Sequence, residues 1–316
     1  MTDATLSPRA TPASDVIPVV GGTFAGFLEE VVRPEARPAV SSSAVDVLRG
    51  ALSAGPASTG LVVGRVQSGK TLSYEGVISL ARDNGFAVVV VISGISNPLL
   101  AQGQRRLRKD LAAASPAGWT FLDPADNLQG PDHVERELTR VKANWLDPAT
   151  PQAYKETAVV VVLKNYNRIR DLADAMGRVD LAGVRVLVVD DEADQASLNT
   201  LVRRGRESST YANLKALRSA LPNHFYLQYT ATPQAPLLIA IDDALSPDYV
   251  RVLEPGDGYT GGEVYFGGES ASPLVHVIDA ADLQAAGNPS GPPPAGLRHA
   301  LQLFLIGAAH VVAGGR

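Results

Sequence analysis

The chain contains no cysteine. That excludes a disulfide framework and every cysteine-based metal site. Histidine is scarce as well: His133, His224, His276, His299 and His310 are scattered, without the spacing of metal ligands. Charge of one sign is also lacking, with 28 basic against 33 acidic side chains and a net charge of −5. Such a chain has no overall attraction to nucleic acid, so contact with a polynucleotide must come from local basic stretches. No basic-then-apolar leader opens the sequence. The apolar run from Leu301 to Val312 reads as too short and too interrupted to span a bilayer. With the missing cysteines, these features point to the cytoplasm and away from a membrane. No internal repeat is visible. The remaining composition, 45% hydrophobic and 19% charged over 316 residues, suits one large or two small globular domains with ample core.

The most informative stretch is Gly64-Arg65-Val66-Gln67-Ser68-Gly69-Lys70-Thr71. It fits G-x-x-x-x-G-K-[ST], a loop whose small residues let consecutive backbone N–H groups turn inward around phosphate. Gly64, Gln67, Ser68, Gly69, Lys70 and Thr71 are the expected nucleotide contacts, with Lys70 reaching the β- and γ-phosphates of ATP and the Thr71 hydroxyl ligating Mg²⁺. The flanks agree. Leu61 to Val63 reads as a buried strand, and Thr71 to Asp83 as a helix stopped by Gly85.

A second motif follows another buried strand pattern, Val186 to Val189, which runs into Asp190-Asp191-Glu192-Ala193-Asp194. Ligands of open α/β sheets collect at the carboxyl ends of strands. Asp191 is therefore expected to hold Mg²⁺, and Glu192 to orient or deprotonate the attacking water; with Lys70 these are the candidate catalytic residues. A third motif, Tyr229-Thr230-Ala231-Thr232-Pro233, follows the strand-like Phe225 to Gln228.

In this order the three motifs resemble the first motor lobe of superfamily-two helicases and translocases. There Thr230, Ala231 and Thr232 would couple the nucleotide site to nucleic acid. The wording around them, Val63 to Thr71, Asp190 to Ser197 and Tyr229 to Pro233, is similar to the ATPase part of the Z-one domain proteins. These are bacterial proteins described as endonucleases of restriction and phage-defence gene sets. Leu253 to Gly262 also resembles that family, and the likeness covers about residues 40 to 315. It implies ATP and Mg²⁺ as cofactors, DNA as a partner, further defence-complex proteins, and a second motor lobe or C-terminal domain beginning where this chain stops. The only acidic cluster, Asp190 to Asp194, is taken by Mg-nucleotide, so no nuclease site is expected here.

Strand and helix patterns alternate from the phosphate loop onward. The expected fold is α/β: a three-layer RecA-like P-loop NTPase domain with a mainly parallel sheet, a Gly/Pro-rich connector and a C-terminal helix. Residues 1–18 read as a disordered tail, 19–245 as the ATP-binding lobe with an N-terminal helical extension, and 246–316 as connector and start of a further domain. Phe86–Ile92 and Ala158–Leu163 read as strands; residues 42–54, Asn97–Leu111, Asp132–Trp145 and Asn165–Met176 read as helices, with a further short one at Ala235–Ala244.

Candidate nucleic-acid contacts are Ser93 and Gly94 after the second strand, Gln104, Arg105 and Arg106 on the following helix, Lys164 at a strand end, and Arg203 and Arg204 after the acidic motif. Neither arginine group, 105–108 or 203–206, is expected to reach across its own phosphate site, so hydrolysis by this chain alone is expected to be slow. Three functions stand: a nucleic-acid-dependent ATPase lobe, a nucleotide-binding switch or scaffold without turnover, and a different phosphate-loop enzyme such as a kinase. The D-E-A-D and T-A-T vocabulary disfavours the last.

Overall fold

In a computed structural model, the described residues are 16–66, 68–94, 96–123, 132–195, 208–237, 243, 245–256, 259–267, 275, 277–286 and 291–314. They divide into two compact units, Met1–Tyr259 and Thr260–Arg316.

The first unit is built on seven strands: β1 (Thr59–Val63), β2 (Phe86–Ser93), β3 (Trp119–Leu122), β4 (Thr157–Leu163), β5 (Arg185–Asp191), β6 (His224–Thr230) and β7 (Tyr249–Val252). Its helices are α1 (Gly22–Glu30), α2 (Arg37–Ala54), α3 (Lys70–Asp83), α4 (Asn97–Ala114), α5 (His133–Leu146), α6 (Tyr166–Arg178), α7 (Ser209–Ser219) and the short α8 (Gln234–Leu237). Every strand pairing is parallel, and the sheet order is β3-β4-β2-β5-β6-β1-β7. This is the three-layer α/β architecture that the alternating pattern implies.

The valine-rich strands explain the layering. Successive strand side chains point to opposite faces, so β2 sends Val89 and Val91 into one core and Val88, Val90 and Ile92 into the other. The first core is closed by α1 to α4, through Phe24, Phe27, Leu48, Ile78, Leu107 and Leu111. The second is closed by α5 to α7, through Leu138, Ile169, Leu172, Leu214 and Leu217. Strands buried on both faces have no solvated side, which is why they read as continuous apolar runs.

The sheet continues past residue 245. β7 pairs along β1, and its Tyr249 ring lies over Gly60 and Gly50, where an added Cβ would sit 2.3 Å and 2.5 Å from the ring. Those two glycines let the last strand approach. The helix expected over Ala235–Ala244 is described only as Gln234–Leu237, and the residues that would extend it lie largely outside the described set.

The second unit contains α9 (Gly262–Phe266), α10 (Ala280–Ala286) and α11 (Ala295–Ala313). The Asp282 carboxylate accepts from the N–H groups of Ala295 and Gly296 at 3.1 Å and 2.7 Å and so caps the start of α11. The Leu301–Val312 run lies in a helix that extends back to Ala295, 19 residues with mean hydropathy 1.3 over an 18-residue window, enough to cross a membrane by length and composition only.

Candidate nucleotide site

The strand order sets β5, β6 and β1 side by side. Their carboxyl ends align, with Val63 opposite Thr230 and Asp191 opposite Tyr229. The phosphate loop, the acidic motif and the T-A-T motif therefore meet at one sheet edge, the edge where open α/β sheets take their ligands.

Gly69 precedes α3 with φ 92 and ψ 23, a left-handed conformation that favours glycine and turns the loop into the helix. Gly64 is needed for a different reason: an added Cβ would lie 2.8 Å from the Lys70 side chain. The loop is tied down by Gly64 N–H donating to the Thr230 carbonyl at 3.0 Å and by Ser68 Oγ donating to the Arg65 carbonyl at 2.8 Å. Lys70 Nζ lies 3.4 Å from the same Arg65 carbonyl. Gly69, Lys70, Thr71, Arg106, Asp191 and Glu192 together line one open cleft of about 350 Å³. Gln67 lies outside the described residues.

The acidic loop is held from below. Lys164 and Asp190 form a buried ion pair, Nζ to Oδ1 2.7 Å, with side chains 1% and 0% exposed. Tyr226 donates its hydroxyl to Asp190 Oδ2 at 2.7 Å, and Lys164 also donates to the carbonyls of Asp191 and Glu192. This corrects the reading of Lys164 as a nucleic-acid contact: its ammonium is spent inside the protein, fixing the backbone that carries the two site carboxylates. Glu192 has a left-handed φ of 51, sustained by that lysine on its carbonyl and by Ala193 N–H donating to the Tyr229 carbonyl at 2.9 Å. Burial pushes the Asp191 carboxyl up, Glu192 adds to the rise and Lys164 opposes it, leaving it at about 6.

The T-A-T motif touches the last acid of D-E-A-D. Thr230 Oγ1 donates to Asp194 Oδ1 at 2.6 Å, Thr232 Oγ1 donates to Asp194 Oδ2, and Thr232 N–H donates to Thr230 Oγ1 at 3.0 Å. Burial pushes Asp194 up, but these hydroxyls outweigh it and hold the carboxyl below its ordinary range. Ala231 bridges the two threonines.

Arg106, expected as a nucleic-acid contact and not expected to reach across the phosphate site, lines the same cleft as Lys70 and Thr71. Ser93 closes β2, where Gly94 turns the chain with φ 68 and its carbonyl accepts from Lys164 N–H at 3.0 Å. Gln104 and Arg105 lie on α4, and the Arg105 guanidinium turns back onto the carbonyl of Ala101. Arg203, Arg204 and Arg206 lie outside the described residues.

Three features escaped sequence reasoning. Asp194 links two motifs only through the fold. Tyr259 comes back from the stretch after β7 to donate to the Val66 carbonyl at 3.0 Å, with the Arg65 guanidinium 5.8 Å from its ring centre. Glu75, fully buried on α3, faces Arg106. An acidic residue in the middle of an otherwise buried helix was the one available signal for it.

No family model matches the chain, and no curated protein matches it. Among solved structures, the DEAD-box helicase Mss116 bound to single-stranded RNA and UDP-BeF is similar over 77% of this chain and 46% of its own, at 13% identity and TM-score 0.45. A DEAD box protein from the hyperthermophile Methanococcus jannaschii is similar over 70% of this chain and 54% of its own, at 16% identity and TM-score 0.41. The DUF1998 helicase MrfA bound to DNA is similar over 78% and 31%, at 13% identity and TM-score 0.42. The chain spans about half the length of the first two.

Proposed function

We propose that this chain is the ATP-binding lobe of a nucleic-acid-dependent ATPase of the helicase or translocase type. The observation that carries it is the convergence of Lys70 and Thr71 with Asp191 and Glu192 in one cleft behind a left-handed Gly69. The donor set fits Mg-nucleotide. Mg²⁺ is usually held by one or two carboxylates plus substrate phosphates and water, and here Asp191 and the Thr71 hydroxyl are the protein's share. Bound there, the metal would neutralise charge on the β- and γ-phosphates.

The chain's own residues would divide the work. Backbone N–H groups at the start of α3 receive phosphate, Lys70 leaves the Arg65 carbonyl to reach it, and Glu192 takes the proton of the attacking water. Lys164 keeps the acidic loop in register. Asp194 would convey the state of that loop to Thr230 and Thr232, and through them to a strand of nucleic acid. The expected partners are DNA, a second motor lobe and other proteins of a bacterial defence complex, in the cytoplasm. The reading is tested by ATP turnover with and without DNA. Stimulation by DNA supports it; binding of ATP with no turnover favours a switch or scaffold.

A further inference from the structure

Arg106 is an unusual guest in the cleft. It comes from α4, not from any of the three motifs, yet it lines the cavity with Lys70, Thr71, Asp191 and Glu192. Its Nε lies 3.5 Å from Glu75 Oε1 and 3.5 Å from Asp110 Oδ2. Those contacts are loose. Neither Glu75 oxygen has a hydrogen-bond partner, although the side chain is fully buried. The Arg106 side chain itself is 49% exposed. A guanidinium carries five donors in a fork that matches phosphate, and no hydrogen bond to protein uses them up here among the described residues.

The rest of the cleft explains why a second cation belongs there. Apart from Arg106, Lys70 is the one basic side chain that lines the cleft with Asp191 and Glu192 among the described residues. An incoming triphosphate adds several negative charges to a site already holding two carboxylates. Lys70, the loop N–H groups and Mg²⁺ serve the β- and γ-phosphates; the terminal phosphate, which ADP lacks, brings further negative charge that a second cation beside Lys70 would offset.

We propose that Arg106 is a phosphate-contacting residue supplied from within the same lobe, which recognises the terminal phosphate of a nucleoside triphosphate and distinguishes it from the diphosphate. Glu75 and Asp110 are positioning residues: they hold the guanidinium at the rim when the site is empty of triphosphate. The buried Glu75 favours this, because burial raises its carboxyl to about 8 against the opposing pull of Arg106, so it can release the arginine without leaving a bare charge behind. The proposal rests on the nucleotide-site reading above and adds which phosphate is read and by what.

The test uses the whole chain and two probes with Mg²⁺: ADP, and the imido analogue of ATP, which keeps the terminal phosphate but resists hydrolysis. Titration calorimetry gives the ratio of their affinities. Wild type should prefer the triphosphate analogue. In Arg106→Gln that preference should fall by about 10- to 100-fold, the worth of a charge-assisted bond, while ADP affinity stays close to wild type. Arg106→Lys should be intermediate, since it keeps charge but loses the fork. Glu75→Gln should change the ratio less than Arg106→Gln. An Arg106→Gln protein that binds ADP normally and keeps the wild-type ratio overturns the proposal and leaves the nucleotide site standing. A wild type that binds neither probe overturns both.

Discussion

Lys164→Met should be the most destabilising single change near the site. The substitution keeps the volume of the stem and removes the ammonium from Asp190, whose side chain is 0% exposed. Tyr226 would remain its one close donor. Removing one partner of a buried ion pair costs about 3–5 kcal/mol. For a unit of this size the melting temperature should fall by roughly 6–20 °C. Adding Asp190→Asn to Lys164→Met should recover part of the loss. Thermal and urea unfolding would measure both. A Lys164→Met protein within about 1 kcal/mol of wild type, but with weakened DNA binding, would refute the reasoning and restore Lys164 to the surface.

Two further outcomes are expected. Because burial raises the Glu75 carboxyl to about 8, with Asp110 adding to the rise and Arg106 opposing it, the folded state should bind a proton that the unfolded state has lost between roughly pH 4.5 and 8. Stability should therefore decline as pH rises through that window, and Glu75→Gln should flatten the decline; an unchanged slope in urea unfolding would show that Glu75 is not the group responsible. Thr230→Val removes the hydroxyl that donates to Asp194 at 2.6 Å and should cost about 1–2 kcal/mol; unchanged unfolding would mean that Asp194 and the T-A-T motif are not joined in solution.

Much of the fold was legible because the strands that carry it are buried on both faces. Phe86–Ile92 and Ala158–Leu163 differ from β2 and β4 by a residue at an end. Helix boundaries moved by more, as at α2, which starts at Arg37 instead of 42. The elements that escaped were short, marginal or both. β3 and β7 are four-residue strands at the two edges of the sheet, each paired on one side only. In β7 burial alternates and the segment sits among glycines and prolines, so only Tyr249 over Gly60 betrays its place. Of the site, the residues on strand ends could be named from sequence because their roles follow from position after a strand. Strand order could not, and with it went every contact that joins distant segments: Lys164 with Asp190, Asp194 with both threonines, Arg106 with the phosphate cleft. A basic residue at a strand end looks the same in sequence whether it faces solvent or lies beneath the next strand's carboxylate.

The measurement that bears most directly on the central claim is calorimetric titration of Mg·ADP into wild type and Lys70→Ala. The ammonium is one of the few positive groups in a cleft of about 350 Å³ that it shares with Asp191 and Glu192, and a charge-assisted phosphate contact of this kind is worth about 1.5–3 kcal/mol. The account predicts saturable binding at one site in wild type and affinity at least about 10-fold weaker in Lys70→Ala, with unfolding unchanged. Equal affinity in the two proteins, or no binding to wild type, would contradict it.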